Sequence, residues 1–354
     1  MGEVYRLRHN RNQVLNIVEV LASFLVVFIH FPFPGRLGNI VLAIARISVP
    51  LFFCISGFFF NKGDSNAELK SVPKKILHLI KLILFSEVVY FLFYLVLQIR
   101  SVGISVQAIK NVIEGEIVGY YLPDLLNRLV VFAPPFNGIC WFIGSLIVVY
   151  LFAWVTTKFG CNRVCFVVSV ILLCVGIILR RVLFYLLGEV AFPYERLLPF
   201  LPLPFFFIGY HLKRNVKVLC DISDTKYLVL CGGCVTLVGI EHFWGNHTLP
   251  MFVPPLVVLL MGWCVKHSKY EVKSFVGKLL SYLGEYSSTW IYIFHMIIGH
   301  CVNTLILAMI PRALDNTLYG YLFPIIVCIA SACFAGVFGY VKNWTVKKLS
   351  VTNK

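Results

Sequence analysis

Apolar residues in this chain run together instead of alternating with polar ones, and the runs are bounded by charge, Pro or Gly. A bilayer core about 30 Å thick takes roughly 20 apolar residues of helix. Ten segments fit that length, near 13–32, 39–60, 75–98, 139–158, 163–187, 197–212, 226–243, 249–266, 287–310 and 319–342. The pattern predicts an all-α, polytopic integral membrane protein with about ten transmembrane helices. It places one membrane domain over 1–354, with basic tails at 1–12 and 343–354 and one long extracytoplasmic loop at about 99–138. Loops of that length in a compact domain usually carry function, and this one is expected to hold an amphipathic or re-entrant piece.

Composition agrees with the pattern. The 354 residues are 59% hydrophobic and 13% charged, against roughly 45–50% and about 25% in soluble domains, and mean hydropathy is +0.86. The first apolar segment is full-length and is followed by PFPG rather than a small-residue cleavage site, so it reads as a retained span. A net charge of +15 raises nucleic acid as a partner, and the location of the charge removes it. Twenty-one Lys and Arg fall at one set of segment ends and eight at the other, while Arg46 and Lys81 sit inside segments. That bias puts both termini in the cytoplasm. The twelve Cys lie mostly in apolar segments, where a thiol behaves as a small hydrophobe. Cys231 and Cys234 have CxxC spacing but no second Cys or His pair at metal distance, so no metal site is expected. No internal repeat is visible, which counts against the repeat-built transporters.

Candidate chemistry begins where the pattern is interrupted. His30 ends the first apolar run, and Glu19 lies eleven residues earlier, within about 20° of the same helical face and roughly 16 Å away along the axis. Two ionisable groups on one membrane stripe call for protein or water as their neighbour. Two readings of His30 stand at this point, a functional imidazole or an interfacial one snorkelling ahead of Pro32 and Pro34. In the second segment, Arg46 lies among apolar residues and Pro50 follows, a position that neighbouring helices must accommodate. Ser56-Gly57 allows a backbone or a substrate to approach closely. Arg46 suits a carbonyl, phosphate or carboxylate partner; the alternative is an interfacial anchor.

Five segments, in order, resemble membrane acyltransferase family 3, which includes polysaccharide and lipid-linked-sugar O-acetyltransferases. They are LNIVEVLASFLVVFIH ending on His30, RISVPLFFCISGF from Arg46 to Phe58, CWFIGSLIVVYLF from Cys140 to Phe152, PFFFIGYHL from Pro204 to Leu212, and LGEYSSTWIYIFHM from Leu283 to Met296. The resemblance covers nearly the whole chain. Two places depart from it. Asn16 and Glu19 stand where the family has Asp and Arg, and the Arg-x-x-Arg of the third helix is matched only loosely by Lys74, Lys75, His78 and Lys81 in KKILHLIK. Lys cannot make the bidentate fork of Arg, and one way to rebuild the site is to pair Lys81 with Glu19.

The resemblance implies transfer of an acetyl or other short acyl group from a cytoplasmic acyl-CoA to a hydroxyl of a glycan or lipid-linked sugar, in a bacterial cytoplasmic membrane. It implies His30 as general base, since an imidazole suits that task near neutral pH. Arg46 would stabilise the oxyanion or hold the acceptor, with Ser56, Trp141 and Tyr292 as walls. Lys74, Lys75, His78 and Lys81 would meet the CoA phosphates or act as positive-inside anchors. His295 would orient or relay a proton, or make a structural hydrogen bond. Glu195 and Arg196 would line the acceptor entrance or form a loop ion pair. Two other classes compete: a transporter or flippase for a lipid-linked or polar substrate, and a non-catalytic family member, the latter motivated by Asn16 and Glu19.

Overall fold

The apolar runs become helices, and where they end follows from local chemistry. The computed structural model describes residues 12–115, 128–129, 131–188, 196–243 and 249–352. Among the described residues the helices are α1 (Gln13–His30), α2 (Gly35–Ala45), α3 (Ser48–Phe60), α4 (Ser65–Val102), α5 (Val106–Ile113), α6 (Trp141–Lys158), α7 (Asn162–Leu187), α8 (Pro202–Leu212), α9 (Val216–Cys220), α10 (Asp224–Phe243), α11 (Val253–Lys266), α12 (Phe275–Tyr286), α13 (Ser288–Met309) and α14 (Thr317–Thr352), with no strand. Among the described residues seven helical stretches are long and apolar enough to cross a membrane: α1, Gly35–Phe60, α4, Gly138–Lys158, α7, α13 and Thr317–Val341. This is a multi-pass, all-helical membrane protein.

Each predicted segment contains a helix, but several differ in form. The segment 39–60 holds two helices, separated at Arg46 and Ile47. Pro50 therefore falls in the first turn of α3, where a helix has no intrahelical partner for an N–H, and it costs nothing there; no neighbouring helix has to rescue it. The segments 197–212 and 249–266 shorten to α8 and α11, of 11 and 14 residues. Helix α4 lengthens to 38 residues, roughly 57 Å at 1.5 Å per residue, nearly twice the hydrocarbon thickness. Helix α14 runs to Thr352, so most of the expected tail 343–354 continues a helix. The tail 1–12 lies outside the described residues apart from Asn12, as do 116–127 and 130 of the long loop. The amphipathic piece expected in that loop is α5, whose Ala108 and Val112 are buried while Gln107 and Lys110 are exposed.

The chain divides into two compact units, one formed by the chain up to Phe52 and from Arg214 onward, the other by Phe53–Lys213. In the first, α1 is the hub, packing against α2, α11, α12, α13 and α14. Asn12 caps it, its side chain accepting from Leu15 N at 3.1 Å and donating to the Cys264 carbonyl. At the α1–α12 crossing, a β-carbon on Gly284 would fall 1.8 Å from the Asn16 carbonyl oxygen, so only glycine permits this approach.

In the second unit, α4 packs on α6 and α8 on α7. The remainder of α3 crosses α8 through a reciprocal pair of glycines. A β-carbon on Gly57 would stand 1.8 Å from the Phe206 carbonyl oxygen, and one on Gly209 would stand 1.9 Å from that of Cys54. Lipid tails are as apolar as Leu, so helices in a bilayer associate by close packing rather than by escaping water. The backbone approach anticipated at Ser56-Gly57 is thus met by another helix of the same unit. Phe53, Phe60, Phe205, Phe206, Phe207 and Tyr210, each 1% exposed or less, fill the space around it.

Candidate active site

In the first unit the site is built where α1 stops. The Phe31 N–H still donates to the Val27 carbonyl at 2.8 Å, but Phe31 has left helical geometry and Pro32 and Pro34 cannot continue it. His30 is left exposed at the helix end. Its ring centroid lies 5.2 Å from that of His295 on α13, the planes inclined by 42°. His295 is 0% exposed. Its Nδ1 lies 2.8 Å from the Tyr292 carbonyl and 3.1 Å from that of Ile291, so Nδ1 carries the proton and donates. That tautomer leaves a lone pair on Nε2, and Nε2 is buried with no hydrogen-bonding atom among the described residues. The structural hydrogen bond considered for His295 is present at Nδ1, and the ring lies beside that of His30. Tyr292, 5% exposed, packs with its ring centroid 6.4 Å from that of His295.

The stripe below His30 turns into the protein. Asn16 is 1% exposed, Glu19 5% and Ser23 0%. Asn16 Nδ2 donates to Ser281 Oγ at 3.4 Å, and Ser23 Oγ lies 3.1 Å from the Glu19 carbonyl and 3.3 Å from that of Ser288. Glu19 and His30 therefore share a face but not an environment. Arg46 occupies the interruption between α2 and α3, its N–H held by the Ala43 carbonyl at 3.3 Å while buried Ser48 donates to the Ala45 carbonyl at 2.9 Å. It stands eleven residues after Gly35, roughly 16 Å along the helix, and lies close enough to the basic His242 on α10 to repel its charged form. Beside His242, buried Glu241 accepts the Met251 N–H with both carboxylate oxygens, at 2.7 and 3.0 Å.

In the second unit the basic segment resolves into two faces. Lys74, His78 and Lys81 are exposed. Lys75 is half-buried, its Nζ 3.2 Å from the Tyr150 hydroxyl and 4.8 Å from the centre of that ring. The Tyr150 hydroxyl is also hydrogen-bonded to Ser56. Lys62 and Lys213 lie close enough to Lys75 to repel it. Partial burial holds the Lys213 ammonium below the usual lysine range, Glu68 opposing that effect and Lys62 adding to it. Glu68, 1% exposed, accepts the Lys62 N–H at 3.0 Å and the Tyr210 hydroxyl at 3.1 Å. The cationic group here is thus Lys62, Lys75 and Lys213, of which the sequence pattern supplied Lys75 alone.

Trp141 and Arg196, assigned separately from sequence, come together: the guanidinium carbon lies 5.5 Å from the centre of the indole. Glu195 lies outside the described residues. The turn leading to Trp141 is fixed by Glu87, which accepts the N–H groups of Phe136 and Asn137, each at 2.9 Å. Glu87, Glu68 and Tyr150 were missed in the sequence. Glu87, inside the third segment, was a usable signal, because an acidic group at membrane depth requires a partner. Tyr150 carried no such signal.

The family model described as an acyltransferase domain (acyltransferase 3) matches residues 12–344. The chain belongs to this acyltransferase family. All five resembling segments lie within the matched region, as do both histidines of the pair. No curated protein and no solved structure matches the chain. Among the described residues no cluster of three or more His, Cys, Asp or Glu is arranged to hold a metal ion.

Proposed function

We propose that this acyltransferase moves an acetyl or other short acyl group from acyl-CoA to a hydroxyl of a cell-surface polysaccharide or lipid-linked sugar. The chain acts as one membrane domain, with ten helical segments in or across the bacterial cytoplasmic membrane and both termini in the cytoplasm. The observation that carries this reading is the His30–His295 pair at the end of α1, in a chain matched by the family over 12–344.

An alcohol attacks a thioester slowly until its proton is removed. His30, the exposed member of the pair, takes that proton and returns it to the departing group. General-base assistance of this kind contributes roughly 10²–10⁴-fold. His295, tied through Nδ1 to its own helix, presents an aprotic nitrogen and a fixed ring beside His30. Arg46 holds a carbonyl, carboxylate or phosphate of a substrate at the helix break, where a bidentate guanidinium is worth more than a Lys. Lys62, Lys75 and Lys213 offer positive charge to the CoA phosphates, with Lys74, His78 and Lys81 as exposed anchors. Arg196 on Trp141 forms a platform for the acceptor, since sugars stack on aromatic rings through their apolar faces. Glu195, next in the chain, is assigned to the same entrance.

The test is comparative mass spectrometry of surface glycans and lipid-linked sugars from cells with and without the gene, supplemented by His30→Ala at matched protein level. An acetyl increment present with the wild-type gene and absent in both other strains is expected. Identical glycans in all three would refute the reaction, and movement of a substrate across the membrane without acetyl-CoA would favour a transporter instead.

A further inference from the structure

We propose that Ser56 carries the acyl group covalently, and that transfer proceeds in two half-reactions through an acyl-Ser56 enzyme. The inference rests on the proposed use of an acyl thioester donor and adds a nucleophile to it.

Three side chains from three helices carry the idea, all within one unit. The Ser56 hydroxyl on α3 is hydrogen-bonded to the Tyr150 hydroxyl on α6, and the same phenol oxygen receives Lys75 Nζ from α4 at 3.2 Å. Ser56 reaches a side chain on another helix that itself holds a cation. Its backbone is fixed by the tightest contact of the unit, because the next residue is Gly57, pressed on the Phe206 carbonyl. The phenol ring is immobilised too: Tyr150 is 5% exposed, with Phe60 and Phe206 at ring separations of 5.9 and 5.6 Å. A nucleophile bonded to a relay group that a third group orients is the general pattern of an activated hydroxyl. Lys62 and Lys213 place further positive charge around Lys75, where an anionic donor would arrive.

The chemistry closes. In the first half-reaction Ser56 Oγ attacks the thioester carbonyl, an O–C bond forms and the C–S bond breaks. Tyr150 takes the serine proton on its oxygen as it gives its own to the departing sulfur, so that free thiol leaves and Tyr150 is unchanged. Lys75, donating into the phenol oxygen, stabilises the negative charge that gathers there in transit. In the second half-reaction the acceptor hydroxyl attacks the ester carbonyl, the Ser56 O–C bond breaks, and the acceptor's proton ends on Ser56 Oγ. No oxidant or metal is required.

The experiment uses the purified full-length protein in nanodiscs with radiolabelled acetyl-CoA and no acceptor. Label is expected on the peptide containing Ser56, released by alkaline hydroxylamine as an oxygen ester. Ser56→Ala should take up none there, and Tyr150→Phe should label about 100-fold more slowly, the loss typical of a missing proton-transfer group. Ser56→Cys should carry a label that hydroxylamine removes at neutral pH, as from a thioester; this variant decides the matter should Ser56→Ala fail to fold. Wild-type protein that acetylates acceptor while Ser56→Ala does so at the same rate overturns the inference alone, as does a label in Ser56→Cys that still requires alkali. Wild-type protein that neither labels nor transfers from acetyl-CoA refutes the proposed function itself.

Discussion

The rings of His30 and His295 lie 5.2 Å apart, centroid to centroid, yet one is exposed and the other wholly buried. The asymmetry assigns different tasks. An exposed imidazole can meet substrate and exchange a proton, whereas a buried one anchored through Nδ1 can only orient its neighbour or pass a proton through Nε2. His295→Asn retains a donor near the Nδ1 position and removes Nε2. It is expected to fold as the wild type does, judged by thermal unfolding in detergent, while kcat falls about 10- to 100-fold, within the span of a lost proton-transfer aid, and the pH–rate profile changes shape. A uniform loss with an unchanged profile would reduce His295 to a packing residue.

The glycine crossing of α3 and α8 predicts a stability effect. Gly57→Ala or Gly209→Ala puts a methyl within 2 Å of a carbonyl oxygen, and the helices must separate. Overpacking of this kind costs about 1–3 kcal/mol. Each variant should melt at lower temperature in detergent, and the double variant should be less than additive because both relieve the same contact.

The basic residues of the second unit separate into two classes. Lys75→Ala and Lys213→Ala should raise the acetyl-CoA KM several-fold, while Lys74→Ala and Lys81→Ala, which alter exposed side chains, should leave it unchanged. Equal effects at all four would point to anchoring by overall charge.

Lys213 also gives a pH dependence with a definite sign. Its folded pKa is depressed, chiefly by burial, so raising the pH removes its charge earlier than for an ordinary lysine. Donor affinity should therefore weaken with rising pH before the normal lysine range is reached, and Lys213→Arg, always protonated, should flatten that loss. The free protein has the opposite trend at this residue: a charged, partly buried Lys213 is a destabilising burden, relieved as pH rises through its lowered pKa.

Much of the fold was legible because a membrane imposes one rule, that backbone groups be satisfied within each segment. Apolar runs therefore had to be helices. Helix ends were less legible: Arg46 reads as part of a continuous run, and only the geometry of Ala43, Ile44 and Ser48 reveals the break. At the site, His30 stood out because an imidazole interrupts lipid-like sequence, and Trp141 and Arg196 because they flank spans. Their association did not, since cross-helix contacts depend on packing that no short pattern encodes. The basic run 74–81 misled for the same reason. Adjacent residues on a helix point 100° apart, so Lys75 turned toward Tyr150 while its neighbours faced outward. Ser56 announced itself only as a companion to Gly57, and its hydroxyl acquired chemical meaning when Tyr150 arrived from 94 residues downstream.

The central claim, that a thioester acyl group is moved with His30 as base, is tested most directly by following radiolabelled acetyl-CoA into the glycan and lipid-linked fraction of membrane vesicles bearing wild-type protein or His30→Ala at equal abundance. Time-dependent incorporation by the wild type, and a rate at least 100-fold lower for His30→Ala, is the predicted result. Incorporation by His30→Ala at the wild-type rate would contradict it.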